Sequence, residues 1–169
     1  YEINEDDTLM VETPGVLAND MDIEGDTLTV SLINSTINGT MTLAEDGLLS
    51  YIPHADYSGT DSLYYACFDG EYSDTAMVSI TVIPVNDAPE IAFPDTVFTF
   101  NEDDSLTSDF SSYISDIDSD ISLVLIASNN LNIHVDIDSF MVTFTADTNW
   151  YGSEDIIFTI DDQDLTHSD

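Results

Sequence analysis

The stretch Tyr1-Glu-Ile-Asn-Glu-Asp-Asp-Thr-Leu9 returns later in the chain as Phe98-Thr-Phe-Asn-Glu-Asp-Asp-Ser-Leu106. Both versions place alternating apolar side chains before the same Asn-Glu-Asp-Asp tetrapeptide. The start-to-start distance, from residue 1 to residue 98, is that of a whole domain rather than of one turn of a solenoid. The chain is therefore predicted to contain two copies of one folded unit.

Further matched segments support the repeat and share its acidic or glycine-containing turns. They pair Asn19-Asp-Met-Asp22 with Ser115-Asp-Ile-Asp118, Asp56-Tyr-Ser-Gly-Thr-Asp61 with Asn149-Trp-Tyr-Gly-Ser-Glu154, and Phe68-Asp-Gly70 with Asp161-Asp-Gln163. Between the copies lies a short proline-bounded linker, Pro84-Val-Asn-Asp-Ala-Pro-Glu90. We predict two domains, residues 1–86 and residues 87–169.

Between these landmarks the chain alternates apolar and polar residues, which is typical of half-buried β-strands. Leu28, Val30 and Leu32 alternate with threonine and serine in this way. No segment sustains a helical period. About seven short strands per copy, separated by Gly, Asp and Asn turns, predict an all-β fold of two tandem Ig-like Greek-key β-sandwiches.

The second copy is shorter at its end than the first. Asp169 corresponds to about Ala76, so an equivalent of the final strand of the first copy, residues 76–84, is not expected in the second sandwich. A sandwich without its last strand has an unpaired edge. Two explanations stay open: the sequence is a window cut from a longer array, or a neighbouring chain supplies the strand.

The charge of the chain excludes several classes of function. Of 169 residues, 35 are Asp or Glu and none is Lys or Arg. Side-chain recognition of nucleic acid, attraction to anionic membranes and lysine or arginine catalysis are excluded. The sequence contains no stretch of 18 apolar residues, so it predicts no membrane-spanning helix. A compact body of this charge repels itself, so it needs screening salt or bound cations.

The acidic residues are concentrated in turns. Successive turns of an antiparallel sandwich alternate ends, so two acidic turns of copy one and the linker should face copy two. Two acidic turns of copy two should lie at the facing end. We predict that the following residues converge there and form a metal site: Glu5, Asp56, Asp61, Asn86, Asp87, Asp116, Asp118, Asp120, Asp161 and Asp162.

The chemistry of this set favours calcium. Many carboxylates cannot stay ionised together in a chain without cationic side chains unless a cation neutralises them. All of the candidate ligands are carboxylate or amide oxygens, and Ca²⁺ takes roughly 6–8 such oxygens. Mg²⁺ keeps more water, and Zn²⁺ prefers grouped His or Cys. The alternative is a solvated acidic surface, because Asp and Asn also form turns readily.

Four motifs carry a resemblance to a known family: Asn4-Glu-Asp6, Val16-Leu-Ala-Asn-Asp-Met-Asp-Ile-Glu-Gly-Asp-Thr-Leu28, Asp56-Tyr-Ser-Gly-Thr-Asp61 and Pro84-Val-Asn-Asp-Ala-Pro89. Together they resemble the bacterial cadherin-like tandem repeats of large secreted surface and adhesin proteins. The resemblance implies cadherin-like sandwiches with calcium between repeats. It also implies the ligand roles of Glu5, Asp56 or Asp61, Asn86 and Asp87, Asp116 and Asp118, and Asp161 or Asp162. The second copy departs from the motifs at Asn149 and Gln163, which replace Asp56 and Gly70.

The expected function is a calcium-stiffened spacer or adhesion repeat of an extracellular bacterial surface or filament protein. Neighbouring repeats are its expected partners, with identical chains or a surface polysaccharide as further candidates. Two other classes stay open: a carbohydrate-binding module that stacks sugars on Trp150 or Tyr72, and a filament subunit completed by a neighbour's strand. No enzymatic activity is expected, because the acids lie in turns and no Ser/His/Asp set has supporting spacing.

Overall fold

The computed structural model of the chain describes residues 1–93, 97–118 and 122–168. The backbone divides into two compact units, Tyr1–Val85 and Asn86–Asp169. We expected the boundary after residue 86, and the units divide one residue earlier. In the described residues the regular structure is β-strand, apart from the 3-10 turns Gly15–Leu17 and Ser111–Tyr113. The predicted all-β fold is confirmed. No helix in these ranges has the length and apolar character to cross a membrane.

The first unit contains seven strands in two sheets. They are β1 (Glu2–Asn4), β2 (Leu9–Val11), β3 (Thr29–Asn34), β4 (Gly39–Leu43), β5 (Leu49–Pro53), β6 (Gly59–Phe68) and β7 (Ser73–Ile83). One sheet has the strand order β1-β7-β6-β3 and the other β2-β5-β4. The pairs are antiparallel except that β1 runs parallel to β7, with Ile3 opposite Val82.

The core of the first unit lies between these sheets and consists of the inward-facing residues of alternating strands. Leu49 and Tyr51 of β5, Leu63 of β6 and Ile80 of β7 are fully buried there. Burial of large side chains of this kind contributes about 1.5–3 kcal/mol each.

A close backbone approach joins the 3-10 turn of the first unit to the loop between β4 and β5. The Val16 N–H donates to the Gly47 carbonyl oxygen at 2.9 Å. A Cβ added to Gly15 would overlap that carbonyl, and a Cβ added to Gly47 would overlap the Pro14 carbonyl. Both glycines also have positive φ, +58° and +88°, so only glycine suits these two positions.

The second unit repeats most of this plan. Its strands are β8 (Glu90–Ile91), β9 (Ser105–Asp109), β10 (Ile114–Ser115), β11 (Val124–Ser128), β12 (Ile133–Asp138), β13 (Met141–Ala146), β14 (Ile157–Asp161) and β15 (Thr166–Ser168). The sheets are β12-β13-β9, which corresponds to the first unit's β4-β5-β2, and β11-β14-β15, which corresponds to β3-β6-β7. The strands β8 and β10 form a separate antiparallel pair.

Aromatic rings form much of the second core. Phe110 is fully buried and meets Phe93 and Phe158 edge to face, with ring centroids 4.9 Å and 5.0 Å apart. Phe98 stacks on Phe144 at 5.4 Å. Edge-to-face and offset pairs of this kind add to the stability that burial of the rings provides.

The second sandwich carries only the beginning of the strand that corresponds to β7. β15 pairs Thr166 with Asp161, in the register in which Ser73 of β7 pairs with Phe68. Within the described ranges no strand continues along β14 beyond Ser168. Residues 99–101, the counterparts of β1, are outside any strand.

A cleft of about 590 Å³ opens on this side of the second unit. Its lining includes Phe98, Phe100, Trp150, Glu154 and Ile156. In the first unit, the corresponding side is filled by three buried residues of β7: Val78, Ile80 and Val82.

Candidate functional site

The linker residues Asn86 and Asp87 are hydrogen-bonded to two acidic turns of the second unit. The Asn86 side-chain amide donates to Oδ2 of Asp162 at 2.8 Å, and the Asp87 backbone N–H donates to Oδ2 of Asp118 at 2.6 Å. The Asp118 N–H in turn donates to Oδ1 of Asp116 at 3.0 Å. Five of the predicted metal ligands thus belong to one hydrogen-bonded network within the second unit.

Asp162 holds the turn between β14 and β15. It is only 2 % exposed, and its Oδ1 accepts the backbone N–H groups of Asp164 and Leu165 at 2.7 Å and 2.6 Å. The Leu165 N–H and then the Asn86 amide lower the pKa of Asp162 below its usual value, so its carboxylate is ionised at neutral pH. Asp69 forms the same kind of turn in the first unit, where it accepts the N–H groups of Glu71 and Tyr72.

Asp116 has an unsatisfied side-chain atom. Its Oδ1 accepts the Asp118 N–H, but its Oδ2 is buried and has no hydrogen-bond partner among the described residues. It is the one buried side-chain nitrogen or oxygen in those residues of which this is true. A buried carboxylate oxygen without a donor costs on the order of 1–3 kcal/mol or more, so a cation bound at this oxygen would stabilise the fold.

Glu5 lies at the end of the first unit, where the chain enters the linker. Its side chain is 6 % exposed, and Oε1 accepts the backbone N–H of Val85 at 2.7 Å. The Glu5 N–H also donates to the Ile83 carbonyl at 3.0 Å. Glu5 therefore fixes the last residue of the first unit, immediately before Asn86.

Asp61 is directed into the first unit and away from solvent. Only 5 % exposed, it accepts the N–H groups of Ile37, Asn38 and Ser62 and the hydroxyl of Tyr51. Burial alone would raise the pKa of Asp61, but these donors outweigh it and lower the pKa below its usual value. The position gives Asp61 a role in fixing the loop between β3 and β4.

Glu154 does in the second unit what Asp61 does in the first. Its carboxylate accepts the N–H groups of Leu131 and Asn132, in the loop before β12, and of Ile133, the first residue of β12. Burial acts to raise the pKa of Glu154, and these three backbone donors lower it below its usual value. The sequence contained a signal for this role, because Glu154 is in phase with the inward-facing residues Phe158 and Ile160, as Asp61 is with Leu63 and Tyr65.

The remaining predicted ligands are more scattered. Asp56 is exposed, with a positive φ of 58°, in the turn between β5 and β6. Asp161 ends β14 and accepts the Gln163 N–H at 2.6 Å. Asp120 lies outside the described residues. In the part of the chain that the structure describes, no group of three or more His, Cys, Asp or Glu side chains is arranged to hold a metal, because several of these carboxylates face backbone N–H groups.

One contact that the sequence analysis missed involves Asp20, which corresponds to Asp116. The buried hydroxyl of Tyr65 lies 2.9 Å from Oδ2 of Asp20 and 3.1 Å from the Val16 carbonyl. A second such contact joins β15 to β8, where the Ile91 N–H donates to Nδ1 of His167 at 3.2 Å. Neither pairing can be read from spacing, because the partners are far apart along the chain.

A family model described as a bacterial cadherin-like domain matches residues 1–84. The first unit belongs to this family. The second unit repeats the two sheets of the first unit apart from the last strand. No curated protein matches the sequence of the chain.

Solved structures that resemble the chain include cadherin ectodomains. Protocadherin gammaB7 EC3-6 aligns at 17 % identity with a TM-score of 0.61, over 99 % of this chain and 44 % of that one. Drosophila N-cadherin EC1-4 aligns at 16 % identity with a TM-score of 0.60, over 99 % and 46 %. The cadherin-like chain thus spans less than half the length of either structure. At these identities the likeness concerns the fold.

Proposed function

We propose that this chain is a calcium-dependent spacer or adhesion repeat of an extracellular bacterial surface protein. The family match of the first unit supports the setting. The observation that carries the calcium proposal is the buried Oδ2 of Asp116, which has no partner among the described residues although it adjoins a network of further carboxylates. In a chain without Lys or Arg, a bound cation is the natural partner for that oxygen.

The residues of this network fit calcium by their chemistry. Asp116, Asp118 and Asp162 supply carboxylate oxygens, and Asn86 and Asp87 supply amide, carbonyl or carboxylate oxygens, which are the ligands of a hard cation. Asp162 and Asp118 now accept hydrogen bonds from the linker. Binding would exchange some of these bonds for bonds to the ion. The ion would supply the positive counter-charge that no Lys or Arg of this chain can give to these carboxylates.

The proposed site includes the linker, and this explains how calcium would stiffen an array. Glu5 fixes Val85, and the next two residues are bound to acidic turns of the second unit. An ion held by Asn86 and Asp87 would restrict the backbone rotations of the linker. We keep Glu5, Asp56, Asp120 and Asp161 as candidate outer ligands. We leave Asp61 out, because its oxygens are already engaged by four donors.

The direct test is unfolding of the whole chain in chelator, in calcium and in magnesium. Trp150 is the sole tryptophan, so its fluorescence reports on the second unit. We expect millimolar calcium to stabilise that unit by about 2–3 kcal/mol if the concentration is near one hundred times Kd. Asp118→Asn should remove most of this gain, and Asp138→Asn, an exposed strand residue, should not. An unchanged unfolding midpoint in calcium would refute the proposal.

Stiffening needs a separate measurement. Small-angle X-ray scattering of the same protein should give a narrower distribution of dimensions in calcium than in chelator. If the chain binds calcium but its scattering does not change, the proposed metal site would stand and the spacer mechanism would be refuted.

A second candidate function is supported by the cleft of the second unit. The lining of that cleft includes aromatic residues, among them Phe98, Phe100 and Trp150. A strand from another copy of the chain could add there, as in strand-complemented filaments. A peptide with the sequence of residues 74–85 should then bind the chain, and the same peptide with Val78, Ile80 and Val82 changed to Ser should not. Failure of the first peptide to bind would remove this candidate.

A further inference from the structure

The acid pairs Asp20/Asp22 and Asp116/Asp118 occupy equivalent places in the two units. Asp20 follows the 3-10 turn Gly15–Leu17 by three residues, and Asp116 follows the turn Ser111–Tyr113 by the same distance. The sequences Asn19-Asp-Met-Asp22 and Ser115-Asp-Ile-Asp118 align without a gap. A difference between the two pairs therefore has to come from the residues around them.

One core position, on β6 in the first unit and on β14 in the second, differs between the units. In the first unit, Tyr65 of β6 pairs with Leu32 of β3, and its side chain is 2 % exposed. In the second unit, Phe158 of β14 pairs with Ala127 of β11 and is 5 % exposed. The registers Phe68–Thr29 and Asp161–Val124 confirm that Tyr65 and Phe158 stand at equivalent positions. The two side chains differ by one hydroxyl group.

The acids at the two equivalent places also differ in their hydrogen bonds. Tyr65 donates to Oδ2 of Asp20 at 2.9 Å, whereas Oδ2 of Asp116 is buried without a partner among the described residues. Burial, followed by the hydrogen bond to Asp20, raises the pKa of Tyr65 well above its usual value, so Tyr65 stays a donor over the whole working range of pH.

We infer that the residue at this core position determines how tightly each acid pair binds a divalent cation. Phe158 leaves Asp116 free to ligate the ion, and Tyr65 engages Asp20 with a hydroxyl that an ion has to displace. This inference rests on the proposed calcium site and adds to it a residue that does not itself ligate. A hydrogen bond to a charged group corresponds to roughly a tenfold to hundredfold change in an equilibrium constant.

The test is calorimetric titration of calcium into the whole chain and its Phe158→Tyr variant. We expect the variant to bind calcium at least tenfold more weakly, while its unfolding midpoint in chelator rises. Phe158→Leu is the matched control, because it also changes the core but adds no hydroxyl, and its calcium affinity should stay within about threefold of the original. Equal affinity of the Tyr variant and the original chain would overturn the inference.

Phe158 packs against Phe110 and Phe144, so the Tyr variant could fail to fold. A second measurement covers that outcome. In chelator, Asp116→Asn should raise the unfolding midpoint, because it removes an unsatisfied charge, and Asp20→Asn should lower it, because Tyr65 loses a charged acceptor. Shifts of the same sign in both variants would overturn the inference. The proposed function fails on different evidence, namely the absence of any calcium binding by the original chain.

Discussion

The hydroxyl of Tyr51 lies 3.2 Å from Oδ2 of Asp61 in the interior of the first unit. The same carboxylate accepts the N–H groups of Ile37 and Asn38, so it joins β5 and β6 to the loop between β3 and β4. Burial, followed by the charge of Asp61, raises the pKa of Tyr51 well above its usual value and keeps it a donor. A carboxylate that faces inward in a protein without cationic side chains is thus satisfied by neutral donors alone.

Replacing this carboxylate should be costly. Asp61→Ala removes the acceptor of three backbone N–H groups and of the Tyr51 hydroxyl, and we expect a loss of about 3 kcal/mol in the free energy of unfolding. Urea unfolding followed by circular dichroism measures it. Glu71→Ala, at an exposed position, should change stability by less than about 0.5 kcal/mol. If Asp61→Ala lowers the free energy of unfolding by no more than Glu71→Ala does, other contacts hold the loop between β3 and β4.

The pH dependence of stability follows from carboxylates with lowered pKa values. Asp61, Glu154 and Asp162 are held below their usual pKa values by donated hydrogen bonds in the folded state. Their stabilisation is therefore complete at neutral pH and is lost as the pH falls below about 4, where the unfolded chain takes up protons first. Unfolding midpoints in chelator at fixed ionic strength should show this acid limb. Asp61→Asn should make the limb shallower, and an equally steep limb in that variant would contradict the assignment.

The contact between Gly15 and Gly47 predicts a large effect of one methyl group. Gly47→Ala places a Cβ against the Pro14 carbonyl at a φ of +88°, so backbone has to move, and we expect a loss of more than about 2 kcal/mol. Gly25→Ala is the matched control, because Gly25 has a φ of +85° but no atom within 4 Å of the added carbon. It should cost only about 1 kcal/mol, through backbone strain alone. Equal thermal midpoints for the two variants would show that the close approach is unimportant.

Salt and calcium should act in different ways. Sodium chloride screens the repulsion among all the acids, so it should stabilise both units gradually between about 0.1 and 1 M, as the Debye length falls from about 10 to 3 Å. Calcium should saturate at millimolar concentration and act on the second unit through Asp118 and Asp162. The Trp150 signal separates these responses. If sodium chloride at equal ionic strength reproduces the calcium effect, the acidic turns are a solvated surface.

Much of the fold could be predicted from the sequence because strand alternation and turn chemistry are local. The alternation of Leu28, Val30 and Leu32 predicts a strand, and the structure has β3 at Thr29–Asn34. The parallel pairing of β1 with β7 and the extra pair β8–β10 were not predicted. Both depend on contacts between segments that are distant in sequence, for which alternation gives no information.

The site could be predicted only as a set of residues. Turn spacing placed Asn86, Asp118 and Asp162 in one group, and the structure joins them in one network. The spacing of the turns does not indicate which carboxylates already accept hydrogen bonds. The resemblance implies Asp56 or Asp61 as a ligand, and Asp61 already accepts backbone hydrogen bonds. Whether a carboxylate does so depends on the conformation of a loop more than 20 residues away.

The parallel contact between β1 and β7 has a mechanical consequence. The first unit begins at β1 and ends at β7, and the bonds Thr81 N–H to the Tyr1 carbonyl and Glu5 N–H to the Ile83 carbonyl connect the two strands. A tensile force applied to the two ends of this unit pulls these strands past each other along their length. The bonds are then loaded together in shear, instead of being peeled apart one after another.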